Sequence, residues 1–496
     1  MKQYGNGMNS EIKKGNVLIN FCWRLAELVG AQGISFLISI VLARLLLPSE
    51  YGTIALVSVF ISIVDVFVTK GFGTALIQKK DADSIDFSTV FFFNMCFTII
   101  LYIATFFAAP YVASFYKMPE LCNLIRVLSI RVILSGVNSV QYAYVSKRME
   151  FKKFFNATIV GTIVSGIIGI FLAYSGYGVW ALALQYLSNA FIDTLILWCI
   201  VKWRPVCCFS WNRLSKLFSY GWKILGAGLL GSLYVNLQTL IIGKLESSSD
   251  LAYYNKGKQF PQTIISSIST AIEGVMFPAM ANQQESREMV RETARYSITM
   301  SAYVMFPITL GMFAISKPLI ILLLTEKWMG ATFFLQISCI TFLFWPIQTV
   351  NLQVIKAMGK GGTFLALEFV KKIIGIVGIL LGVCFGAKGI IISEAVVSII
   401  ALFIDMMPNK KTISYGIKEQ FFDVLPSFML AMGMSFCVYC IGEVLQQPTF
   451  IQILAQILIG CVIYILGSVV FKIKSFDVIC IMVKKIVRKS KDTSDE

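Results

Sequence analysis

The sequence predicts an all-α polytopic membrane protein of about fourteen transmembrane helices, arranged as two six-helix lobes in parallel repeat plus two extra C-terminal helices. Three observations predict it. Of 496 residues, 57% are apolar and 14% charged, at a mean hydropathy of +0.76; soluble domains run at about 45–50% and about 25%. The apolar residues form continuous runs long enough to cross a hydrocarbon core, not the alternating pattern of a β-barrel. Weak self-similarity also recurs at a spacing of about 200 residues, a repeat signature.

In order, the candidate spans lie near 17–43, 52–77, 87–109, 121–145, 155–175, 178–200, 216–242, 258–281, 294–316, 329–356, 363–385, 388–407, 422–442 and 450–471. The first run is too long for a signal-peptide core and lacks an obvious small-residue cleavage site, so it reads as the first span. Turn chemistry separates the runs: Leu47-Pro48-Ser49-Glu50-Tyr51-Gly52, Ser175-Gly176-Tyr177-Gly178, Met358-Gly359-Lys360-Gly361-Gly362 and Gly386-Ala387-Lys388-Gly389. Such short breaks force antiparallel helical hairpins. The expected organisation is a first lobe over 1–205, a second over 206–410, two further spans over 411–472 and a basic tail over 473–496. No loop is long enough to hold a catalytic domain.

The charges then set topology. With the N-terminus inside, the inner segments hold Lys13, Lys14, Lys79, Lys80, Lys147, Arg148, Lys152, Lys153, Lys202, Arg204, Arg213, Lys216, Arg287, Arg291, Arg295, Lys410, Lys411 and Lys418, and the tail adds more. The outer segments hold only Lys117, Lys244, Lys256, Lys258, Lys317, Lys327 and Lys388. This positive-inside bias places both termini in the cytoplasm. It also explains the net charge of +16 without nucleic acid. The tail from Ile473 to Lys489 reads either as an amphipathic helix on the inner leaflet or as a frayed basic segment. The absence of histidine excludes His-based metal sites and Ser-His-Asp triads. The 12 cysteines show no zinc spacing, and most, such as Cys96, Cys339, Cys384, Cys437 and Cys461, sit in apolar runs as small hydrophobes. No catalytic residue, metal site or cofactor is expected.

The internal repeat matches Trp23-Arg24-Leu25 with Trp222-Lys223-Ile224, and Ala43-Arg44-Leu45 with Gly243-Lys244-Leu245. Glu50-Tyr51-Gly52 then matches Asp250-Leu251-Ala252-Tyr253, and Lys70-Gly71-Phe72 matches Glu273-Gly274-Val275. Six spans per copy is an even number, so both copies start on the same side: a parallel repeat about an axis along the membrane normal.

Charges inside spans cost about 2.5–3.5 kcal/mol on insertion scales and normally face protein or water. Asn20, Arg24, Glu27, Ala31 and Ser35 share one face of span one; Ser58, Ser62, Asp65 and Thr69 one face of span two. Lys223, Gly231, Tyr234 and Gln238 lie on one side of span seven. Gln259, Thr263, Ser266, Thr270 and Glu273 form a stripe on span eight. Spans one, two, seven and eight therefore outline a polar cavity. The candidates for an anionic head group are Arg24, Lys223, Lys70 and Arg131, with Tyr234, Gln238 and Gln259 as neutral partners. Each cation has a second reading: Arg24 and Lys223 can snorkel to headgroups, as can Arg44 and Lys244. Glu27 either neutralises Arg24 or joins Asp65 and Glu273 as an ion-binding carboxylate. Arg126, Lys371, Lys372 and Glu394 are weaker candidates. The hydroxyls read equally as helix-packing contacts.

The stretch Ala43–Leu76 (ARLLLPSEYGTIALVSVFISIVDVFVTKGFGTAL) resembles the N-terminal region of the polysaccharide transport family, the Wzx-type flippases of the multidrug/oligosaccharidyl-lipid/polysaccharide superfamily. Tyr144-Val145-Ser146-Lys147-Arg148-Met149-Glu150-Phe151-Lys152-Lys153-Phe154 and Gly176-Tyr177-Gly178-Val179-Trp180-Ala181-Leu182 resemble its colanic and teichuronic acid exporter branch. The resemblance implies paired six-helix bundles, alternating access, and movement of an undecaprenyl-pyrophosphate-linked oligosaccharide to the outer leaflet of the bacterial plasma membrane. It implies that Arg24 and Lys223 hold the pyrophosphate, that Glu27, Asp65 and Glu273 are candidates for H⁺ or Na⁺ coupling, and that polymerase or export machinery is a partner. The alternatives are a multidrug antiporter, a lipid II flippase, or a membrane glycosyltransferase or polymerase. The cations count against the antiporter and the missing catalytic loop against the last.

Overall fold

The computed structural model describes residues 14–79, 81–445 and 449–481, except the side chains of residues 14–29, 220, 271 and 449. All regular structure among them is helical: α1 Lys14–Leu45, α2 Pro48–Thr69, α3 Phe72–Gln78, α4 Ser84–Tyr116, α5 Glu120–Leu128, α6 Ile130–Arg148, α7 Lys152–Tyr174, α8 Val179–Ile200, α9 Trp211–Leu245, α10 Ser248–Ala281, α11 Arg287–Ala314, α12 Ser316–Leu324, α13 Ala331–Phe342, α14 Trp345–Ala357, α15 Gly361–Val383, α16 Gly386–Ile413, α17 Ile417–Val444 and α18 Thr449–Val470. The chain is a multi-pass membrane protein of the helical class. Eleven stretches of helix among the described residues are long and apolar enough to cross a bilayer. The other three expected spans fall on α1, on α5 with α6, and on α15. The helix of α15 carries Glu368, Lys371 and Lys372.

Several expected spans are interrupted, for local reasons. Span two ends at Thr69 because Lys70 is extended and Gly71 adopts φ +104°, after which α3 starts afresh. Span four breaks at Ser129, whose hydroxyl donates to the Arg126 carbonyl at 2.9 Å instead of leaving that group to the helix ladder. Span ten breaks ahead of Pro346, which has no N–H to donate back to the Phe342 carbonyl; Phe344 leaves the helical conformation and α14 restarts at Trp345 with Pro in its first turn. Span eight begins earlier than its apolar run. Ser247 accepts a hydrogen bond from the Asp250 amide at 3.1 Å, an N-cap that starts α10 at Ser248. Lys256 and Lys258, expected in an outer loop, therefore lie inside that helix.

Contacts divide the chain into unit 1, Met1–Ala252, and unit 2, Tyr253–Glu496. This division falls beyond the expected 205/206 because α9 packs on α2, α3 and α4. In unit 1 the N-terminus of α4 is a reciprocal cap. Asp83 accepts from the amides of Ile85 and Asp86 at 3.1 and 2.9 Å, and Asp86 accepts from the Asp83 amide at 3.2 Å. Asp86 is fully buried and paired with Lys79 at 2.5 Å, while Arg213 of α9 holds Asp83 at 2.5 Å. These pairs tie α3, α4 and α9 together. Arg213 pulls the Asp83 carboxyl down to a pKa of about 2.

Unit 2 is centred on α11, α14 and α17, with Phe306, Val350, Ala431 and Met434 buried among them. A polar network crosses its interior: Asn409 donates to Asn351 at 2.6 Å, and Asn351 donates to Gln420 at 2.9 Å. The start of the tail, Ile473, Phe476 and Ile479, packs on this core; beyond 481 the expected amphipathic tail lies outside the described residues. In α15 and α16 the backbones nearly touch, since a Cβ on Gly389 would stand 2.4 Å from the Gly382 carbonyl oxygen. The helix ends also recur: α1 stops at Leu45 and α2 starts at Pro48, while α9 stops at Leu245 and α10 starts at Ser248.

Candidate functional site

Arg24 and Glu27 lie on α1, but their side chains are outside the described residues, as is the Arg24–Glu27 pairing expected between them. The other candidates fall into two groups, one in each unit.

In unit 1, α2 and α9 run antiparallel in close contact. Leu56 fills the space beside Gly243, where a Cβ would meet its Cδ2 at 2.4 Å. Asn236 donates to Ser62 at 3.4 Å. Lys70 and Val66 lie over Gly228, and Gly71 meets Gly221. Small residues along α9 thus let a polar helix face approach α2. Lys70 and Lys223 are exposed near one end of this seam, while Tyr234 and Gln238 are half-buried further along α9. The hydroxyls of Ser62 and Thr69 return their hydrogen bonds to their own helix, at Val59 and Asp65.

Asp65 points from α2 toward α6, where Ser135 hydrogen-bonds it and the Arg131 guanidinium acts on it. Its Oδ1 is buried without a hydrogen bond. Tyr186 of α8 lies within electrostatic reach of Arg131 and of Tyr51. The structure therefore joins two expected residues, Asp65 and Arg131, to Ser135 and Tyr186, which sequence spacing did not reveal. A second polar group sits nearby on α6 and α8: Tyr142 donates to Asp193 at 2.8 Å, and Asn138 donates to Thr194 at 2.8 Å. Arg126 is a structural residue, its guanidinium 4.3 Å from the Phe106 ring centroid and its Nε donating to the Phe106 carbonyl. Lys244 likewise donates to the Phe115 carbonyl and lies 4.0 Å over its ring.

In unit 2 the central feature is an ion pair missed from the sequence. Lys258 of α10 reaches Glu394 of α16 at 2.6 Å, with both side chains about four-fifths buried. Lys258 also donates to the Tyr254 hydroxyl at 3.1 Å, and that hydroxyl donates to Glu394 at 3.4 Å. Two residues before Lys258 on α10, Lys256 is buried and donates to Gln259 at 3.2 Å. Both lysines read as outer-segment residues in the sequence, because Lys256 precedes the apolar run and Lys258 stands at its first position; the Ser-x-x-Asp cap at 247–250 was the signal that could have found them. Below Gln259 the stripe is largely self-satisfied: Thr263, Ser266 and Thr270 donate to the carbonyls of Gln259, Thr263 and Ser266. Glu273 is exposed near the far end of α10. Lys371 is held between Glu368 and Asp405, at 2.7 and 3.0 Å. An apolar cavity of about 490 Å³ opens between α11, α12, α17 and α18, lined by Pro307, Gly311, Met434, Gly460 and Tyr464.

Among the described residues no cluster of three Cys, Asp or Glu side chains has metal-holding geometry. What the arrangement offers instead is paired and hydrogen-bonded charge on bilayer-length helices, Lys258 with Glu394 above all.

The chain is 22% identical over 321 residues to the succinoglycan biosynthesis transport protein ExoT of Rhizobium meliloti (strain 1021), covering 65% of each chain. It is 26% identical over 296 residues to the teichuronic acid biosynthesis protein TuaB of Bacillus subtilis (strain 168), covering 58% of this chain and 60% of that one. It is 22% identical over 434 residues to the lipopolysaccharide biosynthesis protein WzxC of Escherichia coli (strain K12), covering 86% and 87%. The matched stretches thus span less than two thirds of the first two relatives. In fold it is similar to the lipid II flippase MurJ in an inward closed conformation, with a TM-score of 0.74 at 14% identity over 90% of this chain and 97% of that one. A family profile matches residues 41–332, and the chain belongs to the polysaccharide biosynthesis protein family.

Proposed function

We propose that the protein is a flippase that carries an undecaprenyl-pyrophosphate-linked oligosaccharide across the bacterial plasma membrane by alternating access, for exopolysaccharide, capsule or O-antigen-type synthesis. The observation that carries this reading is charge held inside bilayer-length helices. Lys258 pairs with Glu394 in unit 2, and Asp65 on α2 of unit 1 is within electrostatic reach of the exposed Arg131 of α6. Family membership supports it, as does the transport role that the name of ExoT carries. Transport, with no covalent step, suits a chain without a catalytic loop. The inner-face excess of lysine and arginine supports cytoplasmic termini.

In this reading Arg24, Lys223, Lys70 and Arg131 attract the pyrophosphate by charge and hydrogen bonds. Tyr234, Gln238 and Gln259 offer neutral contacts, and the apolar cavity of α11, α12, α17 and α18 suits the polyprenyl tail. Asp65 is the carboxylate best suited to load H⁺ or Na⁺, since its Oδ1 has no hydrogen bond to lose; Glu27 and Glu273 are the other candidates. A polysaccharide polymerase would take the product on the far side.

The test is complementation of a flippase-deficient strain. Wild type restores polymer output. Arg24→Ala with Lys223→Ala inserts normally but leaves lipid-linked repeat units on the cytoplasmic leaflet. Normal output from a well-expressed double variant would remove the assignment of those two residues.

A further inference from the structure

A cleft of about 740 Å³ opens at one end of unit 1, well inside the size range of small-molecule sites. Four chain connections meet there: the α1–α2 turn at Leu47–Glu50, the α4–α5 turn at Lys117–Glu120, the α7–α8 turn at Gly176–Gly178, and the start of α10 at Ser248. On the orientation proposed above, all four are outer-face connections. The only cation among the residues lining the cleft is Lys117, whereas the connections at the other end of the unit hold Lys79, Lys147, Arg148, Lys202 and Arg213.

The rim is built rather than loose. Glu50 accepts from the Leu47 amide at 2.7 Å. Its other carboxylate oxygen lies against the α7–α8 turn, where a Cβ on Gly178 would stand 2.4 Å from it. Gly176 and Gly178 both take positive φ, at 81° and 56°. Together they push Tyr177 out, 57% exposed, beside Trp180. Asn123 and Glu120 face the same space.

We infer that this cleft binds saccharide: it receives the glycan portion of the translocated molecule at the outer face. The lining fits that chemistry. A sugar ring has an apolar C–H face that an exposed tyrosine or tryptophan can cover, and a hydroxyl edge that amide, carboxylate and ammonium groups can bond. The charge balance separates it from the pyrophosphate site, since two carboxylates, Glu50 and Glu120, stand against the single ammonium of Lys117. An anionic lipid headgroup is disfavoured for the same reason, although an exposed tyrosine at a membrane edge can also be a headgroup anchor. A neutral or amino sugar is favoured. The inference rests on the flippase reading for its ligand and orientation.

The probe is a set of oligosaccharides cut from the polymer of the producing strain, free of lipid and pyrophosphate. Full-length protein in nanodiscs is titrated with them by saturation-transfer NMR and calorimetry. Wild type binds; Tyr177→Ala and Asn123→Ala weaken binding at least tenfold with unchanged thermal unfolding; Tyr177→Phe keeps it. No binding by wild type, equal binding by the two alanine variants, or equal signal from empty nanodiscs overturns the inference. Tyr177→Cys in cells is labelled by an impermeant maleimide from outside, read by mass mapping of that peptide. Labelling only after permeabilisation places the cleft in the cytoplasm and overturns it. Polymer export by the same wild-type protein is measured in parallel. Export without oligosaccharide binding removes the cleft and leaves the flippase reading. Binding without export removes the flippase reading and leaves the cleft.

Discussion

Replacing Glu394 by Gln should destabilise unit 2 more than almost any other single isosteric change. The ion pair with Lys258 is 2.6 Å long, and the two side chains keep only 18% and 20% of their exposure. At an effective dielectric of about 20 the gross Coulomb attraction at that distance is about 6 kcal/mol. Most of it offsets the desolvation of both ions, so the pair as such contributes little. The asymmetry lies in removing one member. Lys258 would then be left charged and buried beside the Tyr254 hydroxyl and an amide, at a cost of about 3–5 kcal/mol. At about 2–4 °C per kcal/mol for a unit of this size, that is a fall in Tm of roughly 6–20 °C. Fluorescence-detected thermal unfolding in detergent measures it. The double variant Lys258→Met with Glu394→Leu, which removes both charges, should recover at least half the loss, the remainder coming from the Tyr254 hydroxyl losing two partners. A Glu394→Gln protein with wild-type Tm, or a double variant as unstable as the sum of the singles, refutes the reasoning.

Further outcomes follow from other contacts. Asp83 has a folded pKa of about 2, below its unfolded value of about 3.9, so its stabilisation is present above about pH 4 and fades as pH falls toward 2. Because the site is exposed and screened, Arg213→Ala should lower stability only slightly at neutral pH and by less at about pH 2, where Asp83 is half protonated, read by unfolding at the two pH values. Gly389→Val drives a branched side chain into the Gly382 carbonyl and should cost about 1–3 kcal/mol, visible as reduced folded yield. Asn351→Leu leaves the Gln420 Oε1 without its donor, while Asn409 keeps the residue-351 carbonyl as acceptor, and should cost about 1–3 kcal/mol; a fall in Tm under about 2 °C would mean that the network relaxes onto other partners.

Much of the architecture was legible in the sequence, because a bilayer imposes a simple rule. Every backbone polar group must be satisfied within a helix, and the helix must be apolar over its width. Long apolar runs therefore announce helices, and Pro48 announces where one restarts, whereas the sequence reading carries span two through the break at Gly71. Lys256 and Lys258 show the limit of that rule. Hydropathy locates the lipid-facing part of a helix, not its protein-facing start, so buried cations at the head of α10 read as loop. Arg126 and Lys244 show the converse. By sequence Arg126 is a candidate and Lys244 a snorkelling residue, and each donates to the carbonyl and lies over the ring of a phenylalanine 20 or 129 positions away.

The sequence by itself determined that this chain lives in lipid, in helices, with most of its positive charge on one face and a small remainder within the spans. It did so because composition and period are local properties, read along the chain. Only the tertiary structure decided which intramembrane charges meet. Asp65 comes within electrostatic reach of Arg131 across 66 residues and Lys258 pairs with Glu394 across 136, and four separate turns enclose one cleft. Partner choice depends on helix rotation and on small residues that let helices approach, and neither is written in any single stretch of sequence.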